Sequence, residues 1–289
     1  MAKILIFGAR SFVGYGLPTT LEKHSHLVDL FSRGEEGKQD NVIYGDYLHI
    51  CENPYFSAEY DVVINLAILK DQSTEVNIQY IRLLVDFCKS HKVKKLIHFS
   101  SIMVYDYQAA VVDENTPAET RTATHKRGYG MIKVAVDEYL LQHRDELYAE
   151  LVLVRPGYVL ADNRPCPFIV NLPLKIHVIK GDKRSKQPIV RREDIHKALA
   201  AIIDTEKNDP VYHFFPSDGM TKYRYAKKTV GGMILTMPKW LLERIPYALA
   251  KLHIIPWSMY SRFQGMYIYS DFQSVQTEKK LNMHFTSLA

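Results

Sequence analysis

Cysteine is scarce in this 289-residue chain: Cys51, Cys88 and Cys166 are odd in number and widely spaced. That excludes a disulfide framework and offers no paired metal-ligand spacing, and it suits a reducing, cytoplasmic compartment. Long apolar runs are missing too. The greasiest stretch, residues 229–257, is broken by Lys239, Glu243, Arg244 and Lys251, so no segment of about 18 apolar residues can span a bilayer. An amphipathic lid or a surface-associated helix is still compatible with it. The first apolar run, Ile4 to Phe7, stops at Gly8 and is too short for a secretory signal. No low-complexity tract or short repeat is present. Charge of one sign is not dominant either: a net +5 spread over the chain reads as solvation rather than a nucleic-acid surface. The histidines form no ligand pattern, and no metal is expected.

What the chain does contain is ordinary globular composition, 47% hydrophobic and 24% charged, arranged in alternating signals. Strand-length apolar runs recur at 3–7 (KILIF), 26–31 (HLVDLF), 61–67 (DVVINLA), 95–100 (KLIHFS) and 150–155 (ELVLVR), with a weaker one at 41–44 (NVIY). Helical spacing occupies 76–91, 130–143 and 193–203. Parallel neighbours need right-handed crossovers that carry helices on both faces, so this alternation predicts an α/β fold with a doubly wound parallel sheet of the Rossmann type. After Arg155 prolines crowd in and the apolar pieces shorten. Residues 1–165 are therefore read as the dinucleotide-binding domain, with 188–216 returning to it, including a late strand at 211–215. Residues 166–187 and 217–289 are read as a smaller substrate-binding or lid region.

The segment ILIFGARSFVG puts Gly8 directly after the first strand and Gly14 at the expected opening of a helix. Gly8 suits a tight turn, Gly14 suits close helix–strand packing, and the free N–H groups of a helix start suit a pyrophosphate. Ser11 stands where a third glycine would allow close backbone approach, so it must accept a constrained turn or bond the phosphate itself. The second strand ends Phe31, Ser32, Arg33 with no carboxylate at its tip, while Asp29 lies earlier, where alternation turns it away. A hydroxyl and a guanidinium, with Arg10 as a second cation, favour the 2′-phosphate of NADP over NAD, which stays the alternative.

Further on, HFSSIMVYD is followed by a polar loop and then by GYGMIK at the start of a helix. Tyr129 and Lys133, four apart, stack on one helical face. A free phenol, with a pKa of about 10, is a poor base at neutral pH, and a nearby ammonium stabilises its anion. Ser101, at a strand end, is the candidate to orient a substrate oxygen.

GARSFVG, DVVINLA, SSIMVY, YGMIK and VRPGYVLA, in this order, resemble the extended short-chain dehydrogenases/reductases, specifically the NAD(P)-dependent epimerase/dehydratase group, from Lys3 through about Ile203. REDIHKALAAII resembles the family's aspartate-bearing helix start. The resemblance implies an enzyme that moves hydride at a carbon of a nucleoside-diphosphate sugar, with Ser101, Tyr129 and Lys133 as the catalytic group. It implies cofactor contacts from Gly8, Arg10, Ser11, Phe12, Val13, Gly14, Ser32, Arg33, Asp46, Leu66, Ala67, Tyr129, Lys133 and Pro156. Substrate contacts would come from Ser101, Tyr129, Asn163, Arg191 and Arg192, and packing of the helices at 76–91 and 130–143 implies a homodimer. Departures are Ser11, Asp106 after Tyr105 where the family commonly has glycine, and Arg191 with Arg192 where a histidine or tyrosine and an apolar residue are usual. Two other functions fit less of the pattern. One is an NADP-dependent reductase of an apolar ketone or aldehyde under a lid at 233–257. The other is a dinucleotide-sensing regulator without chemistry, which would have no use for serine, tyrosine and lysine together.

Overall fold

The computed structural model describes residues 1–106, 109–124, 126, 128–160, 166, 168–180, 182–186, 188–217, 219–236, 239–257, 259–260 and 270–286. Its centre is an eight-stranded sheet. β1 (Lys3–Phe7) lies in the middle because Ile4, Leu5, Ile6 and Phe7 are apolar on both faces and completely buried. It pairs in parallel with β2 (Leu27–Arg33) on one side and β5 (Val62–Asn65) on the other. Outward from β2 come β4 (Val42–Gly45), parallel, and β3 (Gly37–Gln39), a short antiparallel edge that sequence patterning did not show. Outward from β5 come β6 (Lys95–Phe99), β8 (Glu150–Pro156) and β13 (Val211–Phe214), all parallel. The late strand expected at 211–215 thus closes the far edge.

Helices cover both faces, as parallel crossovers require. α2 (Thr74–Ser90) starts at Ser73, whose hydroxyl accepts from the Val76 amide at 3.3 Å, and it packs beside α3 (Tyr129–Gln142). Arg82 lies 5.6 Å over the Tyr139 ring between them. On the opposite face sit α1 (Leu17–Lys23) and α4 (Arg192–Asp204). Helix α1 opens later than expected. Gly16 adopts φ 85 and Pro18 occupies the first turn, so the helix begins at Leu17 rather than at Gly14, and residues 8–16 form a longer connection.

The smaller region is built from β9 (Tyr158–Leu160) paired with β12 (Ile189–Arg191), and from the sheet β10 (Ile169–Leu172), β11 (Ile176–Ile179) and β14 (Met233–Thr236). α5 (Lys222–Thr229) closes its small core of Phe168, Ile169, Ile179, Ile189, Met220 and Tyr225, and α6 (Lys239–Lys251) follows. The C-terminal stretch does not stay with this region. β15 (Asp271–Phe272) pairs with β7 (Val111–Val112), and α7 (Val275–Lys280) lies on β13, where Thr277 Oγ1 accepts from the His213 amide at 2.9 Å. Phe285 joins the main core and the Thr286 amide donates to Asp194 at 2.7 Å. Sequence patterning missed this return because the two-residue strand and the short helix carry too little periodicity.

One polar tie runs through the core. Arg155 on β8 donates from Nε and Nη2 to Asp137 Oδ2 of α3, at 3.1 and 3.0 Å, and from Nη1 to the Tyr105 hydroxyl at 2.7 Å. Tyr105 in turn lies 2.6 Å from His213 Nε2. All four side chains are buried, so strand, helix and loop are locked by charges that water cannot replace.

Candidate active site

The C-terminal ends of β1, β2, β4, β5 and β6 share one edge of the parallel sheet, the place where open α/β sheets hold ligands. Gly8 turns the chain there at φ 81, and a side chain on it would meet the Ala67 amide at 2.9 Å. Its tightness is therefore set by the Leu66–Ala67 segment leaving β5. Leu66 donates to Phe7 O at 2.9 Å, and Ala67 donates to Asn65 Oδ1 at 3.0 Å. Gly14 approaches Ala9 so closely that a Cβ would lie 2.5 Å from its carbonyl oxygen. Ser11 resolves its own departure from the glycine pattern: its hydroxyl accepts from the Gly14 amide at 3.1 Å and stabilises the turn from within. His196 of α4 donates to Val13 O at 2.7 Å and pins the same loop from below.

At the strand tips two arginines converge on two tyrosines. Arg10 donates to the Tyr44 hydroxyl at 3.1 Å, and Arg33 stacks over the Tyr47 ring at 5.8 Å. Register places Ser32 beside Tyr44 and Arg33 beside Gly45. Burial pushes the Tyr47 phenol up, against the opposing pull of Arg33. Asp29 points elsewhere and accepts from the Tyr60 hydroxyl at 2.9 Å. Asp46 is exposed and accepts from the Leu48 amide at 2.8 Å.

The 3-10 turn that follows Ser101 lies beside the start of α3. Ser101 caps a short 3-10 turn, accepting from the Met103 amide at 3.2 Å, and Met103 packs against Gly130 at the start of α3. Tyr129 is the first residue of α3 and is 40% exposed, yet desolvation pushes its phenol up to about 12. One turn later Lys133 is buried, with Nζ 5.7 Å from the centre of the Tyr129 ring and donating to Phe99 O. Burial lowers it to about 8, although Asp137 acts in the opposite direction.

Beneath Lys133 lies a network that sequence patterning did not find. His98 Nδ1 accepts from Asn65 at 3.1 Å, Tyr80 donates to Asn65 Oδ1 at 2.9 Å, and Asn77 holds both backbone groups of Leu69. A cavity of about 10 Å³, about one water in size, is lined by Lys133, His98, Asn77 and Tyr80. In sequence these residues are spread from Asn65 to Lys133 over strands and helices that read as plain core, so only their polar character could have flagged them.

The expected substrate residues are scattered. Asn163 lies outside the described residues. Arg191 is exposed at the end of β12, near Tyr225, which lines a cleft of about 180 Å³ with Cys166, Ile169, Asn171, Thr229 and Val230. Arg192 is elsewhere: its guanidinium stacks over Phe12 and Tyr15, at 5.7 and 5.3 Å, against the glycine loop. Pro156 ends β8, beside Phe214. Asp113 Oδ1 accepts from Thr116 Oγ1, and Glu114 accepts from the Thr277 amide. Among the described residues no cluster of potential metal ligands occurs, and no helix is long and apolar enough to cross a membrane.

Residues 4–215 match the NAD dependent epimerase/dehydratase family. The chain belongs to that family. Like its members it is an enzyme of the NAD-dependent epimerase/dehydratase class, on an extended short-chain dehydrogenase/reductase fold. No curated protein sequence matches it significantly. Solved structures share its fold at low identity. The UDP-N-acetylglucosamine 4-epimerase from Bacillus cereus aligns with a TM-score of 0.71 at 14% identity, over 99% of this chain and 95% of that one. MoeE5, solved with UDP-glucuronic acid and NAD, aligns at 0.65 and 16% identity, over 99% and 94%. The human epimerase family protein SDR39U1, solved with NADPH, aligns at 0.64 and 13% identity, over 98% and 95%.

Proposed function

We propose that this epimerase/dehydratase-family enzyme moves hydride at a sugar carbon of a nucleoside-diphosphate sugar, using bound NADP in preference to NAD and Tyr129 as its acid/base. The observation that carries the reading is the placement of Lys133 Nζ 5.7 Å over the Tyr129 ring, one turn along α3 and beside the Ser101 segment. A bound nicotinamide ring supplies and takes up the hydride. Tyr129 exchanges a proton with the substrate oxygen, and the Ser101 hydroxyl orients that oxygen. The Lys133 ammonium is placed to favour the Tyr129 phenolate against the burial that pushes this phenol up to about 12. It has three donors, and only one is needed by Phe99 O, which leaves others for a ribose hydroxyl.

The glycine loop and strand tips fit a dinucleotide. Gly8 to Gly14 would face the pyrophosphate, Leu66, Ala67 and Pro156 would border the nicotinamide half, and Asp46 would lie toward the adenine. Arg10, Ser32 and Arg33 would hold a 2′-phosphate, and Arg192, stacked on Phe12, adds positive charge beside the same loop. NADP(H) should bind more tightly than NAD(H), and Arg33→Ala should narrow the difference by about 1.5 to 3 kcal/mol, the worth of a hydrogen bond to a charged group. Equal affinities in the wild type, by fluorescence titration, would leave Arg33 as a turn residue stacked on Tyr47.

Because Lys133 is held near 8 while Tyr129 stays protonated to about 12, kcat/KM should fall as pH rises through about 8. The lysine loses its proton first, and a neutral amine cannot stabilise the phenolate. A profile flat from pH 7 to about 10 would separate Lys133 from the chemistry.

On the substrate side, Arg191 beside the cleft lined by Tyr225 supports an anionic ligand, with Asn163 as a further donor. Calorimetric titration of the cofactor-loaded protein with UDP, dTDP, GDP and CDP tests this. One of them should bind, and Arg191→Ala should raise KM far more than it lowers kcat. No binding at millimolar concentration would favour a reductase of an apolar ketone. We place the enzyme in the cytoplasm, where its three free thiols stay reduced, and expect a homodimer through the paired faces of α2 and α3. A monomer on sizing at high concentration would contradict the dimer.

A further inference from the structure

Residues 222–257 contain seven lysines and arginines and a single acid, Glu243, whereas the whole chain carries a net charge of only +5. Arg224, Lys227, Lys228, Arg244 and Lys251 are all exposed. Large apolar side chains are exposed among them. On α6, Pro246 and Ala250, four apart, form the buried face, while Arg244, Ile245, Tyr247 and Lys251 point outward. Beyond the helix Leu252, Ile254 and Trp257 are 68%, 65% and 50% exposed, and Trp257 packs edge-on against Tyr247. Among the described residues of the expected lid, Ile245, Tyr247, Leu252, Ile254 and Trp257 thus turn to solvent.

The small sheet adds a second apolar element to the same region. Its register sets Leu172 beside Ile176 and Ile176 beside Met233, and the turn joining β10 to β11 projects Leu174 at 91% exposure, with Lys175 next to it. Leu174 and Lys175 both adopt left-handed backbone, φ 60 and 54, which a side-chain-bearing residue avoids unless its surroundings hold it there. A leucine held out into water on a constrained tip, flanked by lysine and followed by aromatic and basic residues, has the composition of an interfacial membrane element.

We infer that residues 222–257, with the turn at 172–175, form a surface that docks on an anionic phospholipid bilayer. Leu174, Ile254 and Trp257 enter the headgroup boundary, and Lys227, Lys228, Arg244 and Lys251 meet the lipid phosphates. Charge decides the occupant. A second copy docked on this face about a two-fold axis would set its cations against the same cations, and a nucleic acid would leave Leu174, Leu252 and Ile254 without apolar partners.

The test uses the full chain with vesicles of phosphatidylcholine alone and of phosphatidylcholine mixed with phosphatidylglycerol. Trp257, half exposed on this surface, lies in the segment, so its emission reports docking directly. The expected result is co-sedimentation with the anionic vesicles only, a blue shift in emission, and loss of binding at about 0.5 M salt, where charges are screened within a few Å. Lys227→Glu with Lys228→Glu should weaken binding at least about tenfold. Leu174→Asp should weaken it several-fold with an unchanged unfolding temperature, since that side chain touches little of the fold. Equal or absent binding to both vesicle types overturns the inference, as does wild-type binding in both variants. Self-association that Leu174→Asp abolishes, without vesicle binding, would assign the face to a second copy and overturn it as well.

Discussion

Replacing Tyr129 with phenylalanine should lower turnover by about 10²- to 10⁴-fold, the usual worth of a positioned acid or base. The ring keeps its place at the start of α3 and under Lys133, so the loss isolates the proton. Dinucleotide affinity should be unchanged, because the phenol is not needed to seat Lys133, which is anchored on Phe99 O. Lys133→Met should behave differently and weaken both turnover and cofactor affinity, since it removes a ribose donor along with the charge. Steady-state rates and cofactor titration of the two variants make the comparison. Wild-type turnover in Tyr129→Phe would remove Tyr129 from the mechanism, whatever the family.

The second large effect is on stability. Asp137→Ala should cost about 3 to 5 kcal/mol, because it leaves the Arg155 guanidinium buried with only the Tyr105 hydroxyl as partner. For a chain of this size that corresponds to a fall in unfolding temperature of roughly 10 °C. Removing both charges is a milder change: Asp137→Leu with Arg155→Met exchanges a desolvated ion pair for apolar contact and should recover much of the loss. Chemical denaturation of the single and double variants checks both statements. A single variant within about 1 kcal/mol of wild type would mean that the pair contributes little to holding β8 against α3.

The sheet was legible in the sequence because its strands are buried on both faces. KILIF and KLIHF read as continuous apolar runs, and the long helices α2 and α3 began within two residues of their expected starts. What escaped was short or depended on tertiary contacts. β3 has three residues and faces solvent, β15 has two, and the return of the C-terminus depends on Thr277 and Thr286 meeting His213 and Asp194 across the fold. Around the site, Tyr129 and Lys133 were readable as neighbours on one helical face, and only the order of the motifs before them singled out this pair. The side-chain network below them was not, because Asn65, Tyr80 and His98 are polar groups within core-like segments and no local period marks their convergence. Arg192 shows the opposite limit. Adjacent residues at a strand-to-helix junction point in different directions, so Arg191 and Arg192, alike in sequence, meet different neighbours: Tyr225 for the first, Phe12 and Tyr15 for the second.

Hydride capture from a nucleotide sugar is the central claim, and absorbance at 340 nm tests it most directly. Protein reconstituted with one equivalent of oxidised cofactor is mixed rapidly with UDP-, dTDP-, GDP- or CDP-linked sugars. A rise at 340 nm with one nucleotide class, persisting or decaying as product forms and strongly slowed in Tyr129→Phe, is the predicted result. Cofactor that binds tightly but shows no absorbance change and no sugar product with any of them would contradict the account.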